Sequence, residues 1–268
     1  MTHITIHVQS YCLGKPTTIH VILPTIMNPI ENPGRISFKG PFRTLYFLHG
    51  AQDDPEDVMA RTRIGDYAME NNIAVVLPEG DNAFYLDQVP GFGYESFITD
   101  ELIEATRELL PLSPKREDTF IGGYSMGGYG AVRASLLHPE KFAACISLSG
   151  ALEIKRTASF VRALTPLIPE QLREPKALPG SEYDLFHLLR EIKAPEGAET
   201  SENEKQASYP SFYFACGSDD PFISQTKAFL DAAADSPLRT ECHFTPGGHD
   251  FPYWDAALSE VMQWLKTI

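Results

Sequence analysis

The sequence predicts an α/β fold: a mostly parallel sheet with an antiparallel N-terminal edge and helices on both faces. Three observations carry this. From Thr44 onward, continuous apolar runs alternate with segments in which apolar residues recur at helical spacing, the pattern of buried parallel strands joined by crossover helices. The first two runs, "HITIHVQS" and "TTIHVILP", instead alternate apolar with polar residues, as strands with one wet face do. Finally, "GGYSMGGYG", Gly122–Gly130, sets five glycines around one serine directly after the apolar "TFI". That much glycine weakens a strand and a helix interior alike, so it marks a junction between them where bulk is excluded.

In chain order, "TLYFLHG" reads as a strand and Asp54–Asn72 as a helix, with Ala60, Ile64, Tyr67 and Ala68 at helical spacing. "IAVVLPEG" is the next strand. Ile98, Leu102, Ala105 and Leu109 mark one face of a helix starting near Thr99 or Asp100, ahead of the strand "DTFIGGYS". The glycine run opens a helix that closes near His138-Pro139, since proline cannot continue it, and "AACISLSG" follows. Near the C-terminus "SFYFACGSDD" precedes a helix marked by Phe222, Thr226, Phe229 and Ala233; "RTECHFTPGGHD" precedes a last helix with Trp254, Leu258, Val261 and Leu265 on one face. Residues 151–210 break this rhythm: they are rich in Pro, Glu and Leu, predict a helix near Tyr183–Ile192, and end in the polar run "EGAETSENEKQASY". The expected organisation is one domain over 1–268 with an insertion at about 151–210 that leaves the sheet.

At 268 residues, 43% of them hydrophobic, the chain can bury one large core. Lys plus Arg number 22 against 36 Asp plus Glu, a net charge of −14 that repels phosphate backbones and anionic headgroups, so neither nucleic acid nor a membrane is an expected partner. No window reaches the roughly 18 consecutive apolar residues of a membrane span, and "MTHITIHVQS" lacks a signal peptide's apolar block. A cytoplasmic location follows as the expectation. Cys12, Cys145, Cys216 and Cys242 lie far apart without CxxC spacing, three of them in apolar strand-like runs, which predicts reduced, buried thiols and no zinc site. No metal or cofactor is expected, and a homo-oligomer is compatible with the sequence.

"DTFIGGYSMGGYGAVRASLLHPE" reads strand, sharp turn, helix, with Ser125 at the turn in Gly123-x-Ser125-x-Gly127. This order matches a nucleophile elbow, in which the serine takes a strained backbone geometry that lifts its hydroxyl above the sheet, and side chains two residues to either side would collide. Gly123 and Gly127 remove that collision, and Gly128, Gly130, Ala131 and Ala134 let the helix pack closely on neighbouring strands. A glycine-rich turn without chemistry has the same composition, so the partners decide.

In this architecture the acid and then the base follow the serine along the chain. The histidines after Ser125 are His138, His187, His243 and His249. His138 closes the elbow helix, His187 lies in the insertion, and His243 sits on the polar parity of the last strand. His249 follows "PGG" just past that strand's C-terminal end, where open α/β sheets collect ligands. For the acid, "ACGSDDP" places Asp219 and Asp220 on the same edge; either could orient His249, and an Asp ahead of Pro could equally cap the next helix. A tetrahedral intermediate needs N–H donors, one from Met126 after the nucleophile and one from the loop after "LYFLHG", from Ala51 ahead of Gln52. Phe84 and Tyr85 in "DNAFYLD", with Tyr124, are expected to wall the substrate pocket, although aromatics after a strand more often pack.

Together these residues resemble the esterase D family of α/β-hydrolases, and within it the bacterial tributyrin esterases. The blocks that carry the likeness are "YCLGKPTTIHVILP", "LYFLHG", "YESFITDELI", "SPKREDTFIGGYSMGGYGAVRASLLHPEKF", "SLSGAL", "FACGSDD" and "GGHDFPYWDAAL". The resemblance implies a Ser125, Asp220, His249 triad, Asp220 because of its place just ahead of "PFI". It implies a small-molecule ester substrate: a carboxylesterase on short acyl esters, with a formylglutathione thioesterase, a carbohydrate-acetyl or feruloyl esterase, or an acyltransferase on the same triad as alternatives. A catalytically silent binding protein of the same fold would not need base and acid in order. Three departures concern the substrate: no tryptophan in "DDPEDVMARTRI", Tyr124 where leucine is frequent, and an insertion that looks long at its C-terminal end.

Overall fold

The computed structural model describes residues 1–25, 40–88, 91–164, 169–192 and 209–268. Its strands are β1 (Thr2–Gln9), β2 (Pro16–Leu23), β3 (Arg43–Leu48), β4 (Ile73–Pro78), β5 (Thr119–Tyr124), β6 (Ala144–Leu148), β7 (Ser211–Gly217) and β8 (Arg239–Thr245). They form one sheet in the order β1-β2-β4-β3-β5-β6-β7-β8. β1 pairs antiparallel with β2 and β2 with β4, while every pairing from β4 to β8 is parallel.

The burial of each strand follows from its place. β3 to β7 are covered on both faces and need the continuous apolar runs read in the sequence: Leu45 and Phe47 enter one core with Val58, Ile64 and Leu258, whereas Tyr46 and Leu48 enter the other with Phe97, Leu102 and Val132. Each fully buried Leu or Phe among them stabilises the fold by about 1.5–3 kcal/mol. β1 alternates half-buried and exposed residues, as an edge strand should. β2, with the same sequence alternation, lies between β1 and β4 and is largely buried; its His20 is 5% exposed and reaches His3 Nε2 on β1 through its Nδ1 at 3.0 Å. β8 is the other edge and is mostly exposed. Cys242 on β8 is therefore exposed and Cys12 half-buried, so burial of the thiols holds for Cys145 and Cys216 alone, and all four are unpaired.

Two helical segments differ from expectation. Asp54–Asn72 is two helices, α1 (Pro55–Arg61) and α2 (Ile64–Asn71), because Thr62 is extended and its Oγ1 both donates to Val58 O and accepts from Ile64 N–H. The helix expected from Thr99 or Asp100 begins earlier, as Tyr94–Ser96 and a π-helical turn at Phe97–Glu101, before α3 (Leu102–Leu109). The elbow helix is α4 (Met126–Leu137). Within the insertion lie α5 (Ile154–Leu164) and α6 (Leu185–Glu191), the latter at the expected place, while most of "EGAETSENEKQASY" falls outside the described residues. α7 (Ile223–Ala233) and α8 (Phe251–Trp264) complete the chain.

From β3 the chain steps to β4 on one side and later to β5 on the other. The loops leaving the C-terminal ends of β3 and β5 thus start side by side, just beyond the last paired residues Leu48 and Gly123, and diverge at the switch point, the place where open α/β sheets form their crevice.

Candidate active site

Ser125 sits between β5 and α4 with φ 54° and ψ −115°, a conformation that side chains rarely adopt. Such strain costs about 1–3 kcal/mol and is offset by backbone bonds on both sides: Ser125 N–H donates to Leu148 O at 2.9 Å, and its carbonyl accepts from Tyr129 and Ala151 N–H at 3.2 and 3.1 Å. The flanking glycines are sterically required. A Cβ on Gly123 would stand 2.5 Å from Leu48 O, and one on Gly127 would stand 2.1 Å from the same atom. Met126 opens α4, whose first N–H groups have no intrahelical partners and carry the positive dipole end.

The loops after β7 and β8 are pressed together. A Cβ on Gly217 would lie 2.2 Å from Gly247 O, and Ser218 and Asp219 N–H donate to Thr245 O and Gly247 O. This contact puts Asp220 beside His249. The next residue, Asp250, caps α8 by accepting from Tyr253 N–H at 3.0 Å.

Three of the expected residues meet. His249 Nε2 is 3.0 Å from Ser125 Oγ, and His249 Nδ1 is 2.9 Å from Asp220 Oδ2. With a carboxylate at Nδ1, that nitrogen carries the proton and Nε2 faces the serine hydroxyl as acceptor. The Asp220 side chain is fully buried, and its other oxygen accepts from Phe222 N–H at 2.7 Å. Burial alone would raise its carboxyl, but the hydrogen bond and charge of His249, the Phe222 N–H and the Ser149 hydroxyl outweigh this and hold it below the usual carboxylate value. Asp219 is exposed, so the structure separates the two aspartates. His243 lies apart, on β8, bonded to Glu241 Oε1 at 2.8 Å and stacked on Tyr213.

The loop after β3 is held by side chains from elsewhere. His49 is buried; its Nδ1–H donates to Gly50 O, and its Nε2 lies against Gly80 N–H at 2.9 Å and Glu79 Oε1 at 3.3 Å. Gln52 N–H donates to Asn82 Oδ1 at 2.8 Å, so of the two candidate donors this one is already taken, and Ala51 stands half-buried beside it.

Phe84, Tyr85 and Tyr124 correct the expected pocket wall. All three are 1% exposed. Phe84 packs edge-on against Tyr129. The Tyr85 ring fills the space beside Gly80 and Gly130, and its hydroxyl donates to His49 O at 3.1 Å. The Tyr124 ring stacks on Trp254 at 4.2 Å, and its hydroxyl donates to Asp53 Oδ2 at 2.9 Å. Each has packing partners on its faces and supports the site from beneath.

Sequence reasoning missed Trp254, Ser149 and Phe222. Trp254 and Phe222 stand edge-on to His249, with ring centroids at 5.1 and 4.8 Å, and Trp254 Nε1–H donates to Ser149 Oγ at 3.0 Å. Trp254 was readable only as a buried helix position. Ser149, with φ 50°, follows β6 as one more residue of "SLSG".

The family described as putative esterase matches residues 10–265. An acetyl esterase of Caldicellulosiruptor saccharolyticus is 33% identical over 98% of this chain and 97% of its own. An S-formylglutathione hydrolase of Paracoccus denitrificans is 29% identical over 50% of this chain and 52% of its own. Among solved structures, the S-formylglutathione hydrolase of Staphylococcus aureus superposes with a TM-score of 0.81 at 27% identity, covering 98% of both chains. The chain belongs to this esterase family and is a carboxylic ester hydrolase with the α/β-hydrolase fold.

Proposed function

We propose that the protein is a serine carboxylesterase acting on short acyl esters through an acyl-Ser125 intermediate. The observation that carries this is the continuous relay from Ser125 Oγ through His249 to buried Asp220, at 3.0 and 2.9 Å. His249 Nε2 takes the Ser125 proton as Oγ attacks the ester carbonyl, and the carbonyl oxygen becomes an oxyanion facing the N–H groups of Met126 and Ala51. Asp220 stabilises the imidazolium. His249 returns the proton to the departing alcohol, leaving acyl-Ser125; water, deprotonated by the same nitrogen, then releases the acid.

Short acyl groups are supported by the acetyl esterase likeness over nearly the whole chain. The aromatic residues Phe84, Tyr85 and Tyr124 supply no argument for them, being core residues. A nearness to bacterial tributyrin esterases rests on the sequence blocks around the elbow and "HG". A thioesterase reading is favoured by the likeness to S-formylglutathione hydrolases in sequence and structure, and it uses the same acyl-serine with a thiol as leaving group. No helix among the described residues is long and apolar enough to cross a membrane, and four unpaired cysteines fit the reducing cytoplasm. Hydrolysis of p-nitrophenyl esters from acetyl to octanoyl, of sugar acetates and of S-formylglutathione tests the assignment. The expected kcat/KM peaks between acetyl and butyryl; a maximum at octanoyl, or activity on the thioester alone, contradicts it.

A further inference from the structure

We infer that Tyr124, immediately ahead of the nucleophile, is a positioning residue that couples Ser125 to the oxyanion loop through Asp53; this rests on the acyl-Ser125 reading. Tyr124 ends β5, and its ring lies between Trp254, stacked at 4.2 Å, and Gly50, where a Cβ would stand 2.5 Å from Cε2. Its hydroxyl donates to Asp53 Oδ2 at 2.9 Å. Asp53 N–H in turn donates to Gly50 O at 3.4 Å, closing the turn Gly50–Asp53 that carries the Ala51 N–H. This phenol is the side chain through which β5 reaches that turn, and its oxygen also meets the Gly50 backbone N–H at the turn's first residue.

The ring alone supplies the packing on Trp254 and Gly50, so the hydroxyl is free to serve alignment. Burial raises the Asp53 carboxyl above its usual value, opposed by the Tyr124 hydroxyl and by Arg61, which stands 3.8 Å away. The turn is thereby tied to the nucleophile's own strand. An oxyanion donor acts on charge that exists in the transition state and not in the bound ester, so loosening its position lowers kcat and leaves KM in place. Trp254, edge-on to His249, extends the same contact to the base.

The test compares Tyr124→Phe, Asp53→Ala, Asp53→Asn, the double variant Tyr124→Phe/Asp53→Ala, and Tyr213→Phe, which loses a phenol bond to Glu260 away from the site. Kinetics on p-nitrophenyl acetate are paired with the affinity for an alkyl trifluoromethyl ketone, whose serine adduct bears an oxyanion. Since removing a whole oxyanion donor costs about 10²–10³ in kcat, displacing one should cost about tenfold. That loss is expected in Tyr124→Phe and Asp53→Ala with KM unchanged and a matching loss of ketone affinity. The double variant should be no slower than either single one, and Asp53→Asn, which keeps an acceptor oxygen, should recover to within about twofold. Tyr213→Phe should lower Tm without changing kcat. The inference is overturned if Tyr124→Phe changes only Tm, if KM rises at constant kcat, or if the two losses multiply. An active Ser125→Ala would instead contradict the acyl-serine reading; an inactive Ser125→Ala beside a fully active Tyr124→Phe would overturn the coupling alone.

Discussion

The loops after β5 and β3 leave neighbouring strand ends but are held by different means. The elbow is fixed by backbone and by missing side chains: Ser125 bonds Leu148, Tyr129 and Ala151 through its main chain, and Gly123 and Gly127 lie against Leu48 O. The loop after β3 is fixed by side-chain hydrogen bonds to residues remote in sequence: the His49 ring takes the Gly80 N–H, Tyr85 holds His49 O, Asn82 holds Gln52, and Tyr124 holds Asp53. One loop depends on glycines set within two residues of Ser125 that let it press on the backbone of Leu48, and the other on side chains gathered from several loops. The first should therefore respond to substitution by failing outright, the second by losing rate in steps.

The largest effects test what both loops exist to place. Ser125→Ala and His249→Ala should each lower kcat by about 10⁵–10⁶-fold, leaving the residual rate that binding and the oxyanion donors supply. Asp220→Asn should cost about 10⁴-fold through loss of tautomer control, while exposed Asp219→Asn and remote His243→Ala should stay within about threefold of the parent. Steady-state kinetics on one p-nitrophenyl ester checks all five, and a dominant Asp219 effect would move the acid by one residue.

Next comes the contrast itself. Gly127→Ala puts a Cβ 2.1 Å from a carbonyl oxygen of a central strand that cannot yield, so thermal unfolding should show a loss of about 3 kcal/mol or more, or no folded protein. Asn82→Ala removes one acceptor from the other loop, and kcat should fall about fivefold with little change in Tm, the value of one hydrogen bond. If Asn82→Ala unfolds the protein, or Gly127→Ala folds normally, the two loops are not held as described.

The elbow and the chain order of serine, acid and base were legible because each follows from neighbouring residues; the strand parity applied to His243 fails, since on the edge strand β8 Cys242 and Phe244 are exposed and His243 is the half-buried residue, stacked on Tyr213. The preference for Ala51 over Gln52 came from the motif, while the Asn82 bond that occupies the Gln52 N–H was not legible, since Asn82 lies on the loop after β4. The misreading of Phe84, Tyr85 and Tyr124 has the same origin: a sequence shows an aromatic beside a strand end, but not that Gly80, Gly130 and Gly50 clear space for the rings beneath the site. Val58, in the segment where a tryptophan is missing, is fully buried, so this position too packs instead of facing substrate. β2 shows the converse limit, because its alternation reads as an edge while β1 pairs outside it.

The smallest expected effect is on acid stability. The Asp220 carboxyl is held below its unfolded value, so its contribution is present above about pH 4 and is lost as the pH falls through the folded value. Tm should therefore fall with acidification more steeply in the parent than in Asp220→Asn. Parallel slopes would mean that the aspartate is not ion-paired in solution.

The central claim, that Ser125 is the nucleophile activated by His249 and Asp220, is tested most directly by peptide-level mass spectrometry after reaction with a fluorophosphonate. The account predicts a single adduct on Ser125, formed rapidly in the parent, orders of magnitude more slowly in His249→Ala, and not at all in Ser125→Ala. An adduct on another residue, or equal labelling with and without His249, would contradict it.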